Sequence, residues 1–101
     1  MRKFKVQILS AAQIDFEDAV DYYRQIDEKL AIRFVKATKT TVEDLRTMPM
    51  YQIKYDQIRI RIIQKFPYSI HFIVDEKNLL IRIYGIRFAP SDPKKWPRKR
   101  D

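Results

Sequence analysis

The chain has no cysteine, one glycine and one histidine among its 101 residues. Without thiols there is no disulfide, no thiolate nucleophile and no cysteine-bound metal. The lone glycine, Gly85, cannot build the glycine-rich loop that cradles a nucleotide phosphate, so P-loop and dinucleotide folds drop out. The lone histidine, His71, rules out a multi-histidine metal centre, and no cofactor or metal is expected. No run approaches the roughly 18 consecutive apolar residues that span a bilayer. Residues 1–10 alternate polar and apolar, unlike the apolar core of a signal peptide. These absences point to a soluble, cytoplasmic protein.

What the chain does contain is apolar bulk and positive charge. Hydrophobic residues make up 46% and aromatics 13%, enough for a packed interior and too much for a disordered chain. The length allows one core, which we place at residues 1–91, with residues 92–101 as a basic tail. Net charge is +8 at neutral pH, which suits a nucleic acid or an acidic protein partner. The charge is unevenly spread. Residues 11–30 hold six acids and two bases, whereas residues 51–101 hold twelve bases and five acids.

Hydrophobic periodicity predicts the elements. Lys3 to Leu9 reads as a strand with Phe4, Val6 and Ile8 on one face. Ser10, three residues before Gln13, has capping-box spacing at a helix start. Ala12, Phe16, Ala19, Val20 and Tyr23 then form one stripe, with Glu17, Asp18, Asp21 and Arg24 opposite. Asp27 is placed to cap a second helix, whose stripe is Leu30, Phe34, Thr38, Thr41, Leu45 and Met48 and which Pro49 ends. So short a connection makes the two helices an antiparallel hairpin. Ile53 and Tyr55 suggest a strand, followed by strands over 57–66, 68–74 and 79–88, with Asp75-Glu76-Lys77-Asn78 as a polar hairpin turn. The order β-α-α-β-β-β predicts an α+β fold, a helical hairpin packed on a mainly antiparallel sheet.

The run Ile58-Arg-Ile-Arg-Ile62 alternates strictly, so a strand there separates isoleucines from arginines. With Ile58, Ile60 and Ile62 taken as the buried set, the open sheet face carries Arg59, Arg61, Ser69, His71, Arg82 and Tyr84. Gly85 can bulge its strand and leaves the side of Arg87 open. Arginines beside one histidine and one tyrosine, with no clustered carboxylates, cannot hold magnesium for a metal-dependent nuclease. They could cut RNA through its own 2′-hydroxyl, with His71 or Tyr84 moving protons and arginines stabilising the phosphorane. They could equally be a solvated face or one covered by a partner protein. The tail Pro93-Lys-Lys-Trp-Pro-Arg-Lys-Arg100 sets five bases around Trp96. Lys94, Lys95, Trp96 and Arg98 could dock on phosphates and stack on a base, or simply cover the sheet edge and solubilise the chain end.

Several of these segments carry a family resemblance. Phe16-Glu-Asp-Ala-Val-Asp-Tyr-Tyr23, Arg33-Phe34, Lys65-Phe-Pro-Tyr-Ser-Ile-His-Phe-Ile-Val-Asp75 and Arg87 with Asp92-Pro93-Lys-Lys-Trp96 resemble the RelE/ParE superfamily, toxins of type II toxin–antitoxin, or plasmid-stabilisation, pairs. The resemblance implies a small toxin held inactive by an acidic antitoxin, in a toxin–antitoxin hetero-oligomer. It implies one of two targets. RelE-like members cut messenger RNA on the ribosome without metal; ParE-like members poison DNA gyrase. Arg59, Arg61 and Arg87 match basic positions of the RNA-cutting branch, with His71 or Tyr84 as proton carriers. Ser69, however, stands where that branch has another arginine, and no tyrosine closely follows Arg87. These departures weigh against RNA cutting, while Phe66-Pro-Tyr-Ser-Ile70 and the Trp96 ending favour the ParE-like branch, with Arg59, Arg61, Arg82, Arg87, Lys94, Lys95, Trp96 and Arg98 as target contacts. A non-toxic homologue that only binds antitoxin is the third reading.

Overall fold

The computed structural model describes residues 3–50, 53–55 and 57–88. A first strand, β1 (Lys5–Ile8), leads into helices α1 (Ser10–Ile26) and α2 (Glu28–Thr47). Four strands follow: β2 (Ile53–Tyr55), β3 (Ile58–Ile62), β4 (Tyr68–Asp75) and β5 (Leu80–Phe88). They form one sheet in the order β1-β5-β4-β3-β2. Among the described residues only the β1–β5 pair is parallel; the other pairs are antiparallel. This is the α+β arrangement expected, with the helical hairpin on one face. No helix among the described residues is long and apolar enough to cross a membrane.

The helix boundaries follow local chemistry, with one correction. Asp27 caps α2 as expected, its carboxylate accepting the Lys29 amide at 3.0 Å. Asp27 is also the residue that ends α1, so the turn between helices is one residue long. Ser10 does not cap α1. The helix begins one residue earlier, with Leu9 at the N-cap and its carbonyl accepting the Gln13 amide. Met48, expected in the buried stripe, lies beyond the last turn of α2 and is 71% exposed.

The core forms where the helical stripes meet β4 and β5. Phe34 is completely buried, and its ring lies 5.1–5.4 Å from Tyr23, Phe66 and Tyr68. The edge-on pairs with Phe66 and Tyr68 add about 0.5–1.5 kcal/mol each beyond the area they bury. Burial, with Tyr68 and Tyr22 as phenolic neighbours, pushes the Tyr23 hydroxyl up to about 12. Two buried polar residues of α2, Thr38 and Thr41, donate to the carbonyls of Phe34 and Ala37 four residues back, which satisfies their hydroxyls. Near the chain start, Phe4 and Arg46 exchange two hydrogen bonds of 2.9 Å, fastening the approach to β1 to the end of α2.

The turn after β3 contains Lys65 at φ 71°, in the left-handed region that side chains with a Cβ disfavour. Lys65 is exposed, so glycine there removes strain and no buried contact. After subtracting the extra unfolded-state entropy of glycine, Lys65→Gly should raise the unfolding free energy by about 0.5–1 kcal/mol. Urea denaturation with an unchanged m-value is the check. A loss of stability would mean that the Lys65 side chain itself holds the turn.

Candidate functional site

β4 divides the sheet. Ile70 and Phe72 are fully buried in the core, and Tyr68 packs on Phe34 of α2, so these residues face the helices. Ser69 and His71 therefore point to the opposite face. Both are nonetheless buried, and Ser69 Oγ lies 3.1 Å from His71 Nε2. Burial is the main reason the imidazole is pulled down from 6.5 to about 4; the Arg87 guanidinium adds to this and Asp15 opposes it. At neutral pH the ring is uncharged.

The pairing of β3 with β4 corrects the expected placement of the arginine pair. Arg59 sits opposite Phe72 and Arg61 opposite Ile70, while Ile60 and Ile62 sit opposite His71 and Ser69. Directly paired residues share a face. Arg59 and Arg61 thus point beneath the helical layer, and Ile62, expected in the core, is 57% exposed. Ile63, the next residue along, is fully buried and shares the arginines' face. Burying Ile63 sets the parity. The arginines tolerate this because their stems can lie on apolar surface while their heads reach the margin. The Nε atoms of both are shut off from solvent, and Arg61 reaches Asp44 of α2 at 3.7 Å.

β5 completes the open face. Arg82 lies opposite Ile73 and pairs with Asp75 at 3.7 Å. A register irregularity opposite His71/Phe72 leaves Tyr84, 40% exposed, as the extra residue. Beyond it Gly85 pairs with His71 and Arg87 with Ser69, so the bulge resolves the side of Arg87: it joins His71. Lys94, Lys95, Trp96 and Arg98 lie outside the described residues. The expected cluster therefore divides. Ser69, His71, Arg82 and Arg87 come together on the open face, and Arg59 and Arg61 form a separate pair under the helices.

Sequence reasoning missed Asp15. Its carboxylate accepts the Ile86 amide at 3.1 Å, on the stretch of β5 that β1 does not reach. The signal was available: Asp15 stands three residues after Ala12 and four before Ala19, which places an acid at the border of the buried stripe. Gly85 is tied to the same spot. A Cβ there would come within 3.2 Å of Asp15 Oδ2 and 3.4 Å of Arg87 Nε.

Scans against known protein families and against curated proteins find no match. Among solved structures, one described as the chromosomal ParDE TA system from P. aeruginosa superposes with a TM-score of 0.75. The likeness spans 86% of this chain and 97% of that one, at 18% sequence identity.

The depressed histidine makes stability depend on pH. The folded-state value of about 4 lies below the ordinary 6.5, so unfolding takes up a proton between them. The contribution is fully present above pH 6.5 and is lost as pH falls through 4, on the order of 3 kcal/mol in all. His71→Gln should flatten that part of the stability profile, measured by urea denaturation from pH 7 to 4. An unchanged acid limb would show that carboxylates alone produce it. With the sheet order, the helical hairpin and this superposition together, the chain has the RelE/ParE-like fold that its sequence resemblance implies.

Proposed function

We propose that this chain is the toxin of a ParE-like toxin–antitoxin pair, acting on DNA gyrase and neutralised by an acidic antitoxin. The observation that carries this reading is the separation of the arginine pair from the histidine. Arg59 and Arg61 lie on one face of the sheet and His71 on the other. A ribonuclease built from these groups would need them around one phosphate. The neutral, buried imidazole is also poorly matched to proton transfer near pH 7. A toxin that works by seating on its target needs no such convergence. The likeness to a chain of the ParDE TA system supports the same reading.

The charge distribution supports the partner. A chain at +8 attracts an acidic protein and speeds their encounter. Target contacts are proposed at Arg82 and Arg87 on the open face, at Arg59 and Arg61 on the helical margin, and at Lys94, Lys95, Trp96 and Arg98 in the tail. In this reading residues 1–91 are the toxin domain and residues 92–101 a target-directed extension. The antitoxin forms a hetero-oligomer with it in the cytoplasm.

Purified protein added to gyrase should block supercoiling and trap broken DNA, and the product of a neighbouring reading frame should reverse both. Intact supercoiling with no trapped breaks would refute the gyrase assignment. In parallel, primer extension on messages after induction should show no new ends. Cuts at fixed codon positions would transfer the function to the ribosome.

A further inference from the structure

The junction of α1 with β5 joins two surfaces that a two-layer fold would otherwise keep apart. β1 pairs with β5 only as far as Ile83, and β5 continues to Phe88. Along that extension the edge is met by the side chain of Asp15, which accepts the Ile86 amide. The same carboxylate oxygen lies 3.2 Å from where a side chain at position 85 would begin, and Arg87 Nε lies 3.4 Å from that point. A helix residue and an open-face residue thus border the same space, the one left by the missing side chain of Gly85, without pairing directly. His71, opposite Gly85, feels both charges, Arg87 disfavouring and Asp15 favouring its protonated form.

We propose that Asp15 is a positioning residue whose charge, acting across Gly85, orients the guanidinium of Arg87 and links helix α1 to the open face of the sheet. Its carboxylate has two tasks. It occupies an edge amide that a foreign strand could otherwise pair with, and it places a negative charge where it constrains Arg87. A protein partner seated on α1 that shifts Asp15 therefore also shifts Arg87 on the far side. This link is a property of the isolated chain and stands or falls separately from the toxin reading.

The test is nuclear magnetic resonance on the full chain, following three probes: the Arg87 Nε–H resonance, hydrogen exchange of the Ile86 amide, and the titration of His71. Asp15→Asn retains an oxygen for the Ile86 amide and removes the charge. The Arg87 resonance should move and the His71 midpoint should fall, while the Ile86 amide stays protected. Combined with Arg87→Gln, the loss in melting temperature should be smaller than the sum of the two single losses. Gly85→Ala is the second variant, useful if Asp15→Asn folds poorly. Its methyl group should displace Arg87 and deprotect the Ile86 amide together. Additive losses, or Arg87 and His71 signals unchanged in both variants, overturn the proposal. A change confined to the Ile86 amide also overturns it, because Asp15 would then be an edge cap and nothing more.

Discussion

The faces of this protein are set by one strand. β4 is hydrogen-bonded to β3 on one side and β5 on the other, and its Ile70 and Phe72 are locked in the core. Side chains on a strand alternate with a period of two, so both neighbours inherit their faces from β4 through register. Arg61 follows Ile70 beneath the helices, Arg87 follows Ser69 to the open side, and Ile83 follows Phe72 inward. Slipping either pairing by one residue would exchange every side chain on that neighbour. On β5 the steep cost of exposing Ile81, Ile83 and Ile86 while burying Arg82 and Arg87 in their place prevents it.

The helical hairpin supplies the apolar surface that makes this parity worth holding. Its aromatic contacts centre on Phe34, which touches Phe16, Tyr23, Phe66 and Tyr68. These residues come from both helices, the turn after β3 and β4, so one ring fastens four parts of the chain. The charged margins are weaker. The Arg61–Asp44 and Arg82–Asp75 pairs are 3.7 Å apart and partly solvated, where ion pairs contribute at most about 1 kcal/mol. Electrostatics here orients side chains more than it stabilises the fold.

The architecture was legible in the chain because its signals are local. The Phe16–Tyr23 stripe, the Asp27 cap and the turn at Asp75–Asn78 each depend on residues a few positions apart, and each appears as read. The arginine pair was misplaced because Ile62 and Ile63 are adjacent. A strand can bury only one of them, and periodicity within Ile58–Ile62 favours the wrong one. Only the pairing of β3 to β4 decides, and that is a contact between segments. Arg87 was undetermined for a similar reason: a bulge before it reverses the count. Asp15 was missed because it bonds a backbone amide 71 positions away.

The division of the arginines from the histidine bears on how such a scaffold can change its activity. Converting the open face into an acid–base site would require the β3 guanidiniums on the side of His71, beside Arg82 and Arg87, where Ile60 and Ile62 now stand. It would also require a less buried ring, because burial is the main cause of its low value. Substitutions at β3 that placed charge outward and apolar groups inward would meet the core at Ile63 without disturbing it. The backbone is therefore compatible with either arrangement, and the choice lies in side-chain parity on one short strand. A surface that binds through spread positive charge tolerates drift in the exact position of each arginine, because long-range attraction varies slowly with distance. A site that transfers protons does not, since hydrogen-bond reach is a matter of tenths of an ångström. Arg59 and Arg61, half-buried beneath the helical layer, lie on the sheet face away from His71.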